Sequence, residues 1–285
     1  MLDATAVSDV AGHVQHLRRE GTAVVAFEHR APNDTWLPGA RCRILASAPP
    51  PESSLPPFPK RLDPFEITVR ELGVTRGGRR VLDGINLALA GGLVVALVGA
   101  NGAGKTTLLR VLAGLQRHTG RITDDRGSAP RLGLCFQNAD QQIFNPTVRQ
   151  EILFGNDRVD ATLYRGVIDL LGLGTYEQTP PLLLSEGEKK RLALAILLTR
   201  PGLSGVCLDE PTLGQDDHHR HRIGRVVRQL AAAGYLCVLA THDLEWAVRW
   251  CDELVRLHEG RVVNHQQATA VQRSDATEEQ WPAVM

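Results

Sequence analysis

Between Leu93 and Val98 the chain is apolar without interruption, and it continues as Gly99-Ala-Asn-Gly-Ala-Gly-Lys-Thr-Thr107. No other feature restricts the fold as tightly. A short apolar run without polar alternation suits a strand buried on both faces of a parallel sheet, so the glycine-rich turn leaves the carboxyl end of a core strand. Gly99, Gly102 and Gly104 allow backbone conformations closed to other residues, which lets successive N–H groups curl around an anion. Thr106 opens a helix whose positive end faces the same anion. A full G-x-x-x-x-G-K-T between strand and helix predicts a P-loop binding ATP or GTP. Asn101 and Thr107 belong to its phosphate cradle, Lys105 reaches the β and γ phosphates, and the Thr106 hydroxyl ligates Mg²⁺.

Further along, Leu203 to Leu208 reads as a second buried strand, ending in Asp209 and Glu210. Such a pair has a chemical logic: one carboxylate holds Mg²⁺ and the next is aimed at water beside the γ phosphate. Cys237 to Ala240 is another short apolar strand, leading to His242.

In chain order the P-loop is followed by Leu132-Gly-Leu-Cys-Phe-Gln137, Leu184-Ser-Glu-Gly-Glu188, Leu208-Asp-Glu-Pro-Thr212 and Thr241-His-Asp243. With these motifs in this order, the stretch from about Phe65 to Val263 resembles an ATP-binding cassette (ABC) nucleotide-binding domain. The resemblance implies an α/β fold of the P-loop NTPase type, with a RecA-like parallel sheet core, an antiparallel β subdomain and a helical subdomain over about residues 138–190. It assigns Gln137 to the metal and the attacking water, Asp209 to Mg²⁺, Glu210 to the role of catalytic base, and His242 to the γ phosphate. Thr106, Gln137 and Asp209 would then be the metal ligands. ATP and Mg²⁺ are the implied cofactors.

Two positions of the signature depart from the family's Leu-Ser-Gly-Gly-Gln, because Glu186 and Glu188 stand where glycine and glutamine are usual. Ser185 followed three residues later by Glu188, ahead of the helix-forming run Lys189 to Leu198, also reads as a capping box. In the family, the serine hydroxyl and the second glycine N–H meet the γ phosphate bound by an opposite domain; here these are Ser185 and Gly187. Glu188 completes the signature set. Carboxylates beside a polyanion repel it unless they point away, so reduced function is expected at this contact. A second departure is that Val74-Thr-Arg-Gly-Gly78 offers no aromatic ring for the adenine, leaving the Arg76 guanidinium plane as its replacement.

The family closes two domains head to tail, with each ATP between one P-loop and a foreign signature. A second ABC ATPase domain, identical or different, is therefore an implied partner, and Asp216 lies in the loop that crosses the interface.

Residues 1–46 carry a weaker signal. Val14, Leu17, Gly21, Val25, His29 and Arg43 match Val227, Leu230, Gly234, Val238, His242 and Arg256 at one offset of 213 residues. The pattern is a helix, a glycine turn, an apolar strand and a histidine. It is expected to be the tail of a preceding cassette, in competition with an unrelated helix-strand extension. Residues 47–64 are expected to form a stiff linker, since seven prolines fall between Ala48 and Pro64. The cassette is placed at 65–264 and a polar tail at 265–285.

Composition limits the rest. With 32 basic and 32 acidic residues the formal net charge is zero, so no general field attracts nucleic acid. No apolar run reaches the roughly eighteen residues that span a bilayer, and the first fifteen residues lack a secretion signal. Cys135, Cys207 and Cys237 lie in apolar runs and read as reduced core residues. His218, His219 and His221 sit among arginines without a thiol or carboxylate set and read as a solvated helix start. A location at the cytoplasmic face of the cell membrane follows if a membrane partner exists.

The stretches Phe136-Gln-Asn-Ala-Asp-Gln-Gln-Ile-Phe144 and Asp209 to Asp216 look like the ATPases of energy-coupling-factor importers, which serve vitamins and cobalt or nickel. That resemblance implies a transmembrane coupling protein and a separate substrate-binding membrane protein as partners. The rivals are a soluble ABC ATPase of DNA repair or translation, which usually carries a coiled-coil insertion or basic arms, and a regulatory cassette with impaired hydrolysis.

Overall fold

A computed structural model describes residues 58–60, 63–156 and 159–268. The proposed cassette remnant, most of the proline-rich linker and the last seventeen residues lie outside the described residues.

Among the described residues nine strands and six α-helices follow in chain order: β1 (Glu66–Arg76), β2 (Arg79–Ala90), β3 (Val94–Val98), α1 (Lys105–Leu112), β4 (Thr119–Asp124), β5 (Leu132–Cys135), α2 (Val148–Leu153), α3 (Ala161–Leu171), α4 (Glu186–Leu198), β6 (Gly205–Asp209), α5 (Asp217–Ala232), β7 (Leu236–Ala240), α6 (Leu244–Trp250), β8 (Glu253–His258) and β9 (Arg261–Gln267). They form two sheets. The smaller has the order β2-β1-β4 and is antiparallel, and the larger has the order β5-β6-β7-β3-β8-β9. All neighbours in the larger sheet are parallel except the last pair, where β9 runs antiparallel to β8. The final strand runs to Gln267, past the expected domain end at residue 264.

The expected burial of β3 on both faces holds residue by residue. Val94, Ala96 and Val98 face a core shared with α3, α4 and α5, whereas Val95 and Leu97 face a second core shared with α1 and the small sheet. This is the period of two that a strand imposes. Helix α1 is apolar because it is sandwiched: Leu108, Leu109 and Leu112 are all essentially inaccessible. Each such leucine contributes about 1.5–3 kcal/mol of burial, so the helix that presents Lys105 and Thr106 is fixed from behind.

Between β5 and β6 lies the helical region, comprising α2, α3, the first part of α4 and three short 3₁₀ turns. Its caps follow the sequence. Thr147 caps α2, Asp160 caps α3, and Gly172 ends α3 in the left-handed conformation. Cys135, Cys207, Cys237 and Cys251 are free and buried, and burial pushes the Cys135 thiol up to about 12. No helix among the described residues is long and apolar enough to cross a membrane.

Candidate nucleotide site

Because β3, β5, β6 and β7 run parallel, the segments that follow them leave from one edge of the sheet, the usual place for a ligand in open α/β folds. That edge collects the loop from Gly99, Gln137, the pair Asp209 and Glu210, and His242.

The loop itself is held from below. A Cβ at Gly99, whose φ is 143°, would lie 2.2 Å from the Leu257 carbonyl oxygen, and one at Gly104, at φ 103°, would lie 2.7 Å from Leu82. Glycine is required at both by close approach as well as by φ. At Gly102 nothing lies within 4 Å, so the loop is open on its outer side, where Asn101 is also exposed. Lys105 is the first residue of α1, and Thr106 and Thr107 follow it on the same turn, half-buried. The Lys105 Nζ donates to the carbonyls of Gly99 at 2.6 Å and Ala100 at 3.1 Å. Its ammonium is thus folded over the mouth of its own loop.

Thr106 Oγ1 donates to Asp209 Oδ1 at 3.1 Å. Burial raises the Asp209 carboxyl above its ordinary value, the Thr106 hydrogen bond opposes this, and the Glu210 charge adds to it. A buried carboxylate beside a hydroxyl, its charged form favoured by Arg110 and Lys105, is a place where a hard divalent cation is welcome. The hydroxyl and carboxylate oxygens suit Mg²⁺.

Glu210 is only 8% exposed and takes a positive φ of 49°, uncommon for a residue with a side chain. Its N–H donates to the Ala240 carbonyl at 2.9 Å. The turn swings the carboxylate out of the strand direction, and its Oε2 lies 2.9 Å from His242 Nδ1. That contact raises the His242 pKa against the opposing effect of its burial. Four of the expected residues are therefore joined in two pairs, Thr106 with Asp209 and Glu210 with His242, and the Lys105 charge favours the ionised form of Asp209. Gln137 is placed differently: it follows β5 on the same edge, is exposed, and makes no side-chain hydrogen bond among the described residues. Its neighbour Phe136 lies under the Arg110 guanidinium, 5.8 Å from the ring centre, which ties that strand end to α1.

Ser185 caps α4 with the reciprocal bonds of a capping box, as the spacing to Glu188 implies. Gly187 accepts at its carbonyl from Gln215 Nε2 at 3.3 Å. Asp216 caps α5, accepting from the His219 N–H at 2.8 Å and lying 2.8 Å from His219 Nδ1. Within one chain no hydrogen bond joins Ser185, Gly187 or Asp216 to the P-loop among the described residues.

Several residues that matter here escaped sequence reasoning. Lys190 donates to the carbonyls of Leu213 at 2.7 Å and Glu210 at 3.3 Å, and so bolts the signature helix to the segment carrying the carboxylates. Lys189 pairs with Asp140 at 2.9 Å and reaches the short turn beyond Gln137. Both lie in a charged helical run that looks solvated. Their signal was adjacency to Ser185, since the first turn of that helix must lie against its neighbours. Of the histidines at the start of α5, His221 is exposed as expected and packs edge-on against Trp250 at 4.9 Å, whereas His218 and His219 are half-buried and His218 lies 2.8 Å from Arg222. Arg76 stands opposite Arg79 at the exposed end of the β1–β2 hairpin.

Residues 82–213 match the family model described as ABC transporter. A protein assigned as an ABC transporter ATP-binding protein from Brucella suis biovar 1 is 36% identical over 214 residues, covering 69% of this chain and 87% of that protein. The energy-coupling factor transporter ATP-binding protein EcfA2 of Methanospirillum hungatei is 36% identical over 201 residues, 64% of this chain and 50% of that protein. Other relatives are longer, and this chain spans 35% of a Bacillus cereus relative and 37% of one from Methanosarcina acetivorans. Among solved structures, cbiO1 from Clostridium perfringens, part of the ABC transporter complex cbiONQ, is similar with a TM-score of 0.61 and 27% identity, over 75% of this chain and 91% of that one. The parallel core, small antiparallel sheet and helical region are thus the P-loop fold of ABC ATPases. The chain belongs to the ABC transporter ATP-binding family, a family of ATPases.

Proposed function

We propose that this chain binds and hydrolyses ATP to power a membrane importer of the energy-coupling-factor type, taking up a vitamin or a transition-metal ion. The observation that carries the ATPase part is the convergence of Lys105, Thr106, Asp209, Glu210 and His242 on one edge of the sheet. Lys105 gives up the carbonyls of Gly99 and Ala100 to hold the β and γ phosphates, which the loop N–H groups and the start of α1 also face. Mg²⁺, held by Thr106, Asp209 and Gln137, would neutralise charge on the phosphate oxygens. Glu210 orients the attacking water and accepts its proton, and His242 fixes that carboxylate through the 2.9 Å contact. Asn101 and Thr107 complete the cradle.

A second cassette, identical or different, completes the site with its own equivalent of Ser185, Gly187 and Glu188, and Asp216 lies where the two meet. The chain's likeness to EcfA2 and to cbiO1 supports the importer reading, as does the wording from Phe136 to Phe144. On this reading residues 65–264 are the cassette, a transmembrane coupling protein receives the motion, and a separate membrane protein selects the solute. The chain then works at the cytoplasmic face of the membrane, without a nucleic-acid partner.

Glu210→Gln is expected to bind ATP, accumulate as a closed dimer and release phosphate at least about 100-fold more slowly. Equal phosphate release from mutant and wild type would overturn the role of Glu210. Pull-down from a detergent extract is expected to bring an integral membrane protein, and recovery of soluble partners alone would contradict import.

A further inference from the structure

Ser185 has one hydroxyl proton, and the chain commits it internally. Ser185 Oγ donates to Glu188 Oε2 at 2.7 Å, and the Ser185 N–H donates to the same oxygen at 2.7 Å. The Glu188 N–H returns a longer bond of 3.4 Å to Ser185 Oγ. Tyr176 hydrogen-bonds the Glu188 carboxyl as well, and Arg191 faces it. A hydrogen bond to a carboxylate is roughly twice as strong as one between neutral groups, so a phosphate, itself a charged acceptor, has to displace an equally charged partner to win this proton. It is the proton that the helix tip would offer to a phosphate.

We propose that Glu188 is an internal brake on this end of the cassette. Its carboxylate takes the donor of Ser185 and leaves a negative charge at the helix tip, so closure over the nucleotide of a facing cassette is weaker than an uncharged residue at 188 would allow. The inference rests on the reading of the chain as a cassette that closes against a second one.

Glu186 does not act in this way. Its side chain is 72% exposed and pairs with Lys189 at 3.4 Å, within one helical turn. It shares that lysine with Asp140 and makes no hydrogen bond to Ser185. At position 188 glutamine would keep the capping box, because its amide oxygen still accepts from Ser185 N–H. It would remove the charge and place an N–H donor at the tip. The fold therefore tolerates the substitution that tests the brake.

The experiment uses the full chain with Glu210→Gln, in which closed dimers persist, and measures the Mg·ATP concentration that gives half-maximal dimer by light scattering. Adding Glu188→Gln is expected to lower that concentration roughly fivefold to tenfold at low salt, and the gap is expected to shrink as salt screens the repulsion. A purely structural role for Glu188 would leave the salt dependence unmoved. An unchanged half-point, or no closed dimer from either protein, while single copies still bind Mg·ATP overturns the brake. Absence of Mg·ATP binding in both proteins overturns the cassette reading instead.

Discussion

The P-loop edge and the tip of α4 are both helix N-termini whose residues are proposed to meet phosphate, yet they are prepared in opposite ways. At the P-loop, Lys105 rests on two backbone carbonyls and the first turn of α1 carries no acidic residue. Those carbonyls are neutral, so an incoming phosphate outcompetes them. At α4, the first turn carries Glu186 and Glu188, and Ser185 is bound to a carboxylate. The favourable field of a helix start is open to an outside anion at the first site and already answered from within at the second. A phosphate site thus depends on what occupies the donors as much as on the donors themselves.

The largest expected contrast is in glycine tolerance. Gly99→Ala drives a Cβ to 2.2 Å from a backbone oxygen, whereas the nearest atom to a Cβ at Gly187 is the end of the Gln215 side chain at 3.3 Å. Urea unfolding is expected to show a loss of more than about 2 kcal/mol for Gly99→Ala and less than about 1 kcal/mol for Gly187→Ala. Equal losses would break the contrast between a rigid loop and an adaptable tip.

Removing the cap at the tip is a smaller change. Ser185→Ala is expected to cost about 1 kcal/mol, since the hydroxyl's bonds to the Glu188 N–H and carboxylate disappear; thermal denaturation checks it. No loss would mean that Glu188 holds the helix start alone through the Ser185 N–H.

A still smaller effect should be visible as a pH dependence at the P-loop edge. Glu210 raises His242 above its ordinary value of 6.5. The raised folded value means the pairing contributes fully below 6.5 and fades as pH rises through the folded pKa. The stability gap between wild type and His242→Ala should therefore be widest below pH 6.5 and close on the alkaline side. A gap that widens with pH would contradict the 2.9 Å pairing.

The elements around the site were legible because they rest on local rules. Val94–Val98, Gly205–Asp209 and Leu236–Ala240 lie within a residue or two of the expected strands, and the box of Ser185 and Glu188 follows from spacing alone. What stayed hidden depends on neighbours distant in sequence. Nothing local to Glu210 announces a φ of 49°; the β6–β7 register and the bond to Ala240 impose it. Lys189 and Lys190 look like surface charges, and only the packing of α4 against the turn after β5 and the loop after β6 turns them inward. The Ser185 proton was hidden for the opposite reason: the spacing shows the box but not which partner receives the hydroxyl.

The central claim is that Lys105 and the loop around it clasp a magnesium nucleotide. Isothermal titration of purified wild type with Mg·ATP is expected to give a Kd below about 1 mM, with affinity falling at least about tenfold in Lys105→Ala while the unfolding midpoint in urea stays near that of the wild type. Wild-type protein that takes up no Mg·ATP in that range, or a Lys105→Ala protein that binds as tightly, would contradict it.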